Sequence, residues 1–221
     1  MRTLLQASRR SARRAGFTLI ELLAVMVILG ILVGALMAAL GGADDGARSR
    51  LTRVQLEQLS AAAIAYERSF GDYPPSSLPS DAGGSNTVNE GIEAFVAALW
   101  SEGYEGGGLD ADELSNTDAD TSKRSITDFP DRQLFEFVDA WGNPIAYWHH
   151  RDYDRPQLYS VEDLNTGELF DQEVRAVENS TTRRFYQSTR FQLRSAGPNG
   201  VFDPVEDPAC DDVFSFDPER G

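Results

Sequence analysis

The residues of this chain that could do chemistry begin with Gly16-Phe17 and Glu21, set between an arginine-rich start and a long apolar run. Glu21 puts a carboxylate into a stretch otherwise suited to a membrane. From Leu22 to Leu40 there are 19 residues without charge, and with Phe17 to Glu21 the run reaches 24 residues. As a helix this is about 36 Å long at ~1.5 Å per residue, enough to cross a ~30 Å hydrocarbon core. An acidic residue at the centre of a spanning helix costs roughly 2.5 to 3.5 kcal/mol, and although the cost falls towards the helix end, Glu21 still needs a partner. A cut after Gly16 would supply one. Phe17 would then carry a new α-amino group, and packing identical helices side by side would bring that amine to the Glu21 of a neighbour.

The segment Gly16-Phe17-Thr18-Leu19-Ile20-Glu21-Leu22 resembles the leader and N-terminal segment of the type IV prepilin and pseudopilin superfamily. Gly16, Phe17 and Glu21 match that family's motif position by position. The resemblance implies a cleaved leader of residues 1–16, cutting between Gly16 and Phe17 by a dedicated prepilin peptidase that N-methylates Phe17, and a role for Glu21 in assembly. Two other readings share the basic start and apolar run: an uncleaved signal anchor, and a secretory signal peptide cut near Ala35 to Ala39. In every case Arg2, Arg9, Arg10, Arg13 and Arg14 would hold the N-terminus in the cytoplasm. A secretory cleavage site follows the apolar region, however, and a buried glutamate hinders insertion, so the positions of Gly16 and Glu21 favour the prepilin reading.

A second candidate site lies near the C-terminus, where Leu193 to Asp212 is glycine-rich and then acidic. Calcium takes six to eight oxygens at ~2.3 to 2.6 Å, including carbonyls from tight turns and several carboxylates. In the major pseudopilins a similar Ser-x-Gly-x-Asp-Gly turn with downstream aspartates holds one calcium ion, and Ser195, Gly197, Asn199 and Gly200 match that turn. Asn199 stands where the family usually has Asp. The resemblance thus implies Ser195, Asn199, Asp203, Asp207, Asp211 and Asp212 as calcium ligands, the aspartates making up the charge that Asn199 lacks. Elsewhere the sequence offers little chemistry. His149 and His150 are adjacent after an apparent strand, so alternation puts their side chains on opposite faces, where they do not readily share a metal. Without a nucleophile elbow, a phosphate-binding loop or a Cys-x-x-Cys pair, the chain reads as a non-enzyme.

Composition narrows the partners. The net charge of −15 becomes −20 without the five leader arginines, which argues against nucleic acid or an anionic membrane surface as partner of the soluble part. Cys210 is the single cysteine, so no intramolecular disulfide can form. Many type IVa pilins close their C-terminal region with such a bond, whereas the major pseudopilins use a metal-bound loop.

The elements that would position these residues follow from spacing. The glycines at 41, 42 and 46 mark a weak point in one long helix, since each costs about 1 kcal/mol relative to alanine. Leu51, Val54, Leu59, Ala62, Ala63, Tyr66 and Phe70 form an apolar stripe for the globular domain to cover, and Gly71 with Pro74-Pro75 ends the helix. Gly91 to Trp100 reads as a second helix and Gln133 to Asp139 as a short third. Gly106 to Asp128 reads as a solvated acidic insertion, with no register that fits an EF-hand. Asp139 to Tyr147 resembles the turn into the first strand of the pseudopilin sheet, with Trp141 plugging the domain against the long helix. Gln157 to Val161 and Arg190 to Arg194 are further strands, the latter with Phe191 and Leu193 inward and Arg190, Gln192 and Arg194 outward.

The expected fold is α+β: a long N-terminal helix, membrane-spanning in its first half, packed against a small antiparallel β-sheet of three or four strands in a pilin-like ladle. The expected organisation is a leader at 1–16, a transmembrane and filament-core helix at 17–43 and a globular domain at 44–221. The family resemblance implies a single-pass protein of the bacterial inner membrane with its C-terminal domain in the periplasm, self-associating into a helical filament of a type II secretion pseudopilus. Its implied partners are the prepilin peptidase, other pseudopilins, an inner-membrane platform protein and an assembly ATPase. A type IV pilus subunit displayed on the cell surface is the alternative, and a membrane-anchored binding or enzymatic domain with an accidental leader is a third. Glu21→Ala is expected to leave membrane insertion intact and to abolish filament assembly; cell fractionation and filament yield check it, and a normal yield would refute the charge pairing.

Overall fold

The computed structural model describes residues 18–101, 103–163 and 166–218, without the side chains of residues 36–43. The chain divides into two compact units, residues 1–44 and 45–221. Helix α1, Leu19–Phe70, is continuous through the glycines at 41, 42 and 46. Every described side chain from Thr18 to Ala35 is exposed. Among the described residues no helix is long and apolar enough to cross a membrane; the apolar run expected to do so extends to Leu40, into the side chains outside the description.

In the second unit, α1 presents one buried face made of Thr52, Leu56, Leu59, Ala62 and Ala63. The expected stripe was only partly right, because Leu51 and Val54 stay 65% and 52% exposed and Phe70 is also exposed. Hydrogen bonds set the buried face: Ala140 N donates to Thr52 Oγ1 at 3.2 Å, and Gln55 Nε2 donates to the Val138 carbonyl at 2.9 Å. At about 100° per residue, the positions that continue from Thr52 are 56, 59 and 63, which leaves Leu51 and Val54 on another side. The helix ends as expected, with Gly71 at φ 83° donating to the Glu67 carbonyl at 2.7 Å.

Helix α2, Glu90–Leu99, buries all of its residues from Gly91 to Leu99. Phe95 packs against Tyr147 with ring centroids 4.8 Å apart. Instead of one sheet, the described residues of the second unit form four small antiparallel ones. Strands β1 (Leu114–Ser115) and β2 (Glu136–Phe137) form the first, and the hairpin of β4 (Gln157–Asp163) and β5 (Glu168–Val174) the second. Strands β6 (Glu178–Asn179) and β7 (Arg184–Phe185) pair alone. In the fourth, β3 (Ala146–His149) pairs with β8 (Phe191–Ser195), which pairs with β9 (Val213–Phe214).

Three expectations are corrected. Residues 133–139 contain β2 in place of a short helix, because this run pairs with the acidic insertion: Thr121 bridges Gln133, and β1 pairs β2. The insertion is therefore not wholly solvated, and Asp120 and Ser122 are buried. On β8, Gln192 and Arg194 are buried along with Phe191 and Leu193. The second face of that strand is covered by the chain at 177–186 and by the C-terminal segment, so its polar side chains make internal bonds where water was expected. Trp141 stays half-buried in the turn after Asp139, its indole N–H donating to Asp45 Oδ1 at 3.3 Å.

α2 approaches β3 and β4 most closely at Gly91, where an added Cβ would fall against the Tyr147 carbonyl, Gln157 Oε1 and the Tyr159 hydroxyl. Gly91→Ala is expected to destabilise the protein by about 1 to 3 kcal/mol through overpacking, despite the better helix propensity of alanine. Chemical denaturation checks this, and an unchanged or raised midpoint would contradict the close packing.

Candidate functional site

Gly16 and Phe17 lie outside the described residues, and Glu21 lies in the first turn of α1. Its partner in the isolated chain is local. Thr18 N donates to Glu21 Oε2 at 2.9 Å, Thr18 Oγ1 donates to the same oxygen at 2.8 Å, and Glu21 N returns a bond to Thr18 Oγ1 at 3.3 Å. This is a capping box: Thr18 precedes the helix, and the glutamate three residues on satisfies donors that the helix start leaves open. The signal was present in the sequence as Thr-x-x-Glu before an apolar run. In the single chain the Glu21 carboxylate thus caps its own helix.

The six C-terminal residues are only partly brought together. Asn199 Nδ2 donates to Asp203 Oδ2 at 2.7 Å, and Asp203 N donates to Asp212 Oδ1 at 3.1 Å. Ser195 Oγ instead donates to the buried Asp139 at 2.7 Å and accepts from Gly197 N at 3.1 Å. Asp207 is exposed in its own turn, accepting from Ala209 N at 2.9 Å. Asp211 Oδ1 is buried without a hydrogen-bond partner, and burial together with Asp203 raises its carboxyl above the ordinary range.

Arg194, which sequence reasoning placed outward, is at the centre of this loop. Its Nε sits 2.5 Å from Asp212 Oδ2, with the two side chains 7% and 0% exposed, and another guanidinium nitrogen donates to the Asp203 carbonyl. The guanidinium also lies over the rings of Phe202 and Phe214, 5.4 and 5.3 Å from their centroids. Burial pushes Asp212 up to about 6, and the Arg194 charge opposes that rise. The six residues therefore do not form one oxygen cage, and the charge next to Asp212 is supplied by an arginine. The Cys210 thiol is half-buried 3.7 Å from Asp212 Oδ1, and burial raises its pKa.

The histidine expectation is also corrected. The His149 and His150 ring centroids are 4.3 Å apart, because β3 ends at His149 and His150 opens a 3-10 turn that breaks the alternation. His149 Nε2 lies 3.1 Å from Asp72 Oδ1, and Asp72 also pairs with Arg151 at 2.7 Å. Burial holds His149 below its ordinary pKa, which suits a neutral ring bonded across two segments. A further acidic group around Glu93 was missed altogether. Its sequence signal was one charge, Glu93, inside the otherwise apolar Gly91 to Leu99.

The N-terminal geometry, a free helix with exposed apolar side chains behind a capped glutamate, meets one comparison. Residues 11–37 match the prokaryotic N-terminal methylation motif. That motif is the type IV pilin-like signal, typical of membrane-anchored pilin-like proteins, and it does not separate a pseudopilin from a pilin. No curated protein and no solved structure matches the chain. The motif spans Gly16, Phe17 and Glu21, and leaves the globular unit to be read from its own geometry.

Arg194→Ala is expected to destabilise the protein by about 3 to 5 kcal/mol, because it strands the buried Asp212 carboxylate. Arg194→Ala combined with Asp212→Asn should recover part of that loss. Denaturation of the single and double variants checks the coupling, and additive losses would show that the pair is not a unit.

Proposed function

We propose that this chain is a structural subunit of a type II secretion pseudopilus, processed by prepilin peptidase and polymerised through its N-terminal helix to support protein export. The observation that carries the reading is the motif from Gly16 to Glu21 at the head of a helix whose described apolar side chains, Leu19 to Val33, are all exposed in the single chain. Such a surface, 48% exposed or more at each large apolar residue, asks for lipid or for like helices. In the membrane, helices of this kind wait as single-pass proteins with the globular unit in the periplasm. In the filament they pack together, Phe17 and Glu21 setting the register between neighbours. Transfer of Glu21 from its own Thr18 cap to the methylated amine of a neighbour would link assembly to processing, since that amine exists only after cleavage.

Secretion is preferred over surface display because the single cysteine excludes the disulfide that closes many pilin C-termini, and here the Arg194–Asp212 pair closes that segment. An ion at the C-terminal loop would fall to Asp203 and Asp212, whose oxygens lie within 4.8 Å of each other and of the Cys210 sulfur, in competition with the Arg194 that already balances Asp212. The partners that follow from this reading are the prepilin peptidase, other pseudopilins, the inner-membrane platform protein and the assembly ATPase.

A clean deletion with complementation tests the reading by scoring proteins in the culture supernatant and filaments on the cell surface. Lost secretion with surface pili intact is expected. Lost pili with normal secretion would make the chain a pilus subunit and overturn the secretion reading.

A further inference from the structure

The second unit contains a cluster of carboxylates that the filament reading does not use. Glu93 of α2 is 1% exposed, and neither of its carboxylate oxygens has a hydrogen-bond partner. Facing it are Glu136 of β2, fully buried, and Asp118 and Asp120 of the acidic insertion, the latter 8% exposed with Oδ1 also buried and unpartnered. One oxygen each from Glu93, Asp118 and Glu136 lies within 4.8 Å of the others. Among the described residues no lysine, arginine or histidine forms an ion pair with any of the four.

The donors around the cluster hold its outer side. Asn89 Nδ2 donates to Glu136 Oε1 at 3.0 Å and Thr117 N to Glu136 Oε2 at 3.1 Å. Asn86 donates twice, from its amide side chain to Asp118 Oδ2 at 3.0 Å and from its backbone to Asp120 Oδ2 at 3.2 Å. These bonds orient three carboxylates as neighbours of metal ligands commonly do. They leave Glu93 and Asp120 Oδ1 aimed inward with nothing to bind. An unpaired buried carboxylate is among the most costly groups a fold can hold, and four converging from three segments compound the cost.

Two species could relieve it, a proton or a cation. Glu93 and Asp120 face each other closely enough to share a proton, and in the absence of an ion burial and the neighbouring acids push Glu93 up to about 11 and Glu136 to about 8. Protons, however, pair these oxygens two at a time and give the four carboxyl groups no common centre. The dimensions fit a cation better: oxygens bound at ~2.3 to 2.6 Å lie at most about 5 Å apart across one ion, and 4.8 Å falls within that span. The donor set is all oxygen, which selects a hard cation over zinc or copper, and its irregular spacing suits calcium better than the strict octahedron of magnesium.

We propose that Glu93, Asp118, Asp120 and Glu136 bind a calcium ion that fastens the acidic insertion to α2. This site is separate from the C-terminal loop and does not depend on the filament reading. It explains why an insertion of this composition folds back on the domain, with Asp110, Asp112 and Glu113 remaining in solvent and Asp120 inside.

The test uses the full chain in detergent, stripped with a chelator and then titrated with calcium alone by calorimetry and by thermal melting at matched ionic strength. The expected result is saturable binding with a raised melting temperature. Glu93→Gln and Asp118→Asn should each weaken the affinity at least ~10-fold. Because Glu93→Gln keeps the size of the side chain and brings no charge into its buried site, its apo form should melt no lower than the apo wild type, which separates a lost ligand from a failed fold. Asp118→Asn, at a partly exposed position, gives the same reading should Glu93→Gln fail to fold. Asp211→Asn, in the C-terminal loop, should keep the calcium response. Melting and heats indifferent to calcium would overturn the proposal in favour of a shared proton. A response that survives Glu93→Gln and Asp118→Asn but vanishes in Asp211→Asn would overturn it in favour of the C-terminal loop.

Discussion

Burial of β3 and β8 on both faces is the constraint on which the globular unit depends. All four residues of β3 and all five of β8 are out of solvent, and several of them are polar. Each such group must find its partner inside the protein, because an unsatisfied buried group costs about 1 to 3 kcal/mol and a charge more. The partners come from distant segments. His149 reaches Asp72 beyond the end of α1, Gln192 bonds to the Val177 carbonyl and N–H and the Tyr186 carbonyl, Arg194 takes Asp212, and Ser195 takes Asp139. These bonds tie the loops to the two central strands, which is how four short sheets hold together as one unit.

The C-terminal segment illustrates the consequence. It has no disulfide, and its closure rests on a guanidinium flanked by two aromatic rings and bonded to a carboxylate and a carbonyl. An arginine suits this role because its planar fork can bond in two directions while its faces stack on rings. The same charge alters the acidic character of the loop: Asp212 is engaged, Asp207 faces solvent, and Asn199 turns its amide nitrogen to Asp203 and its oxygen to Val201 N. The second acidic group, around Glu93, has no such arginine among the described residues, and that contrast distinguishes the two sites physically.

Glu21 and Glu93 are both carboxylates in apolar helices, yet they are settled differently. Glu21 sits in a first turn, where free backbone donors are available and Thr18 supplies them. Glu93 also lies in the first turn of its helix, but its side chain is turned into the domain, 1% exposed, and reaches no donor. An exposed acid is served by its own cap and by solvent, whereas a buried one requires a companion built by the fold.

The sequence alone determined what depends on neighbours along the chain. The N-terminal motif, the end of α1 at Gly71, a helix over Gly91 to Trp100 and the turn at Asp139 to Asn143 were all legible because positive φ, turn chemistry and helical period are local properties. Only the tertiary structure decided which face of α1 is covered, that Gln133 to Asp139 joins the acidic insertion as strand, and that the far side of β8 is dry. Periodicity reports the contacts of one face and is silent about what covers the other. It is equally silent about convergence: Glu93, Asp118 and Glu136 come from three segments up to 43 positions apart, and their meeting is a property of the packing of α2 against β2 and of the insertion paired to it.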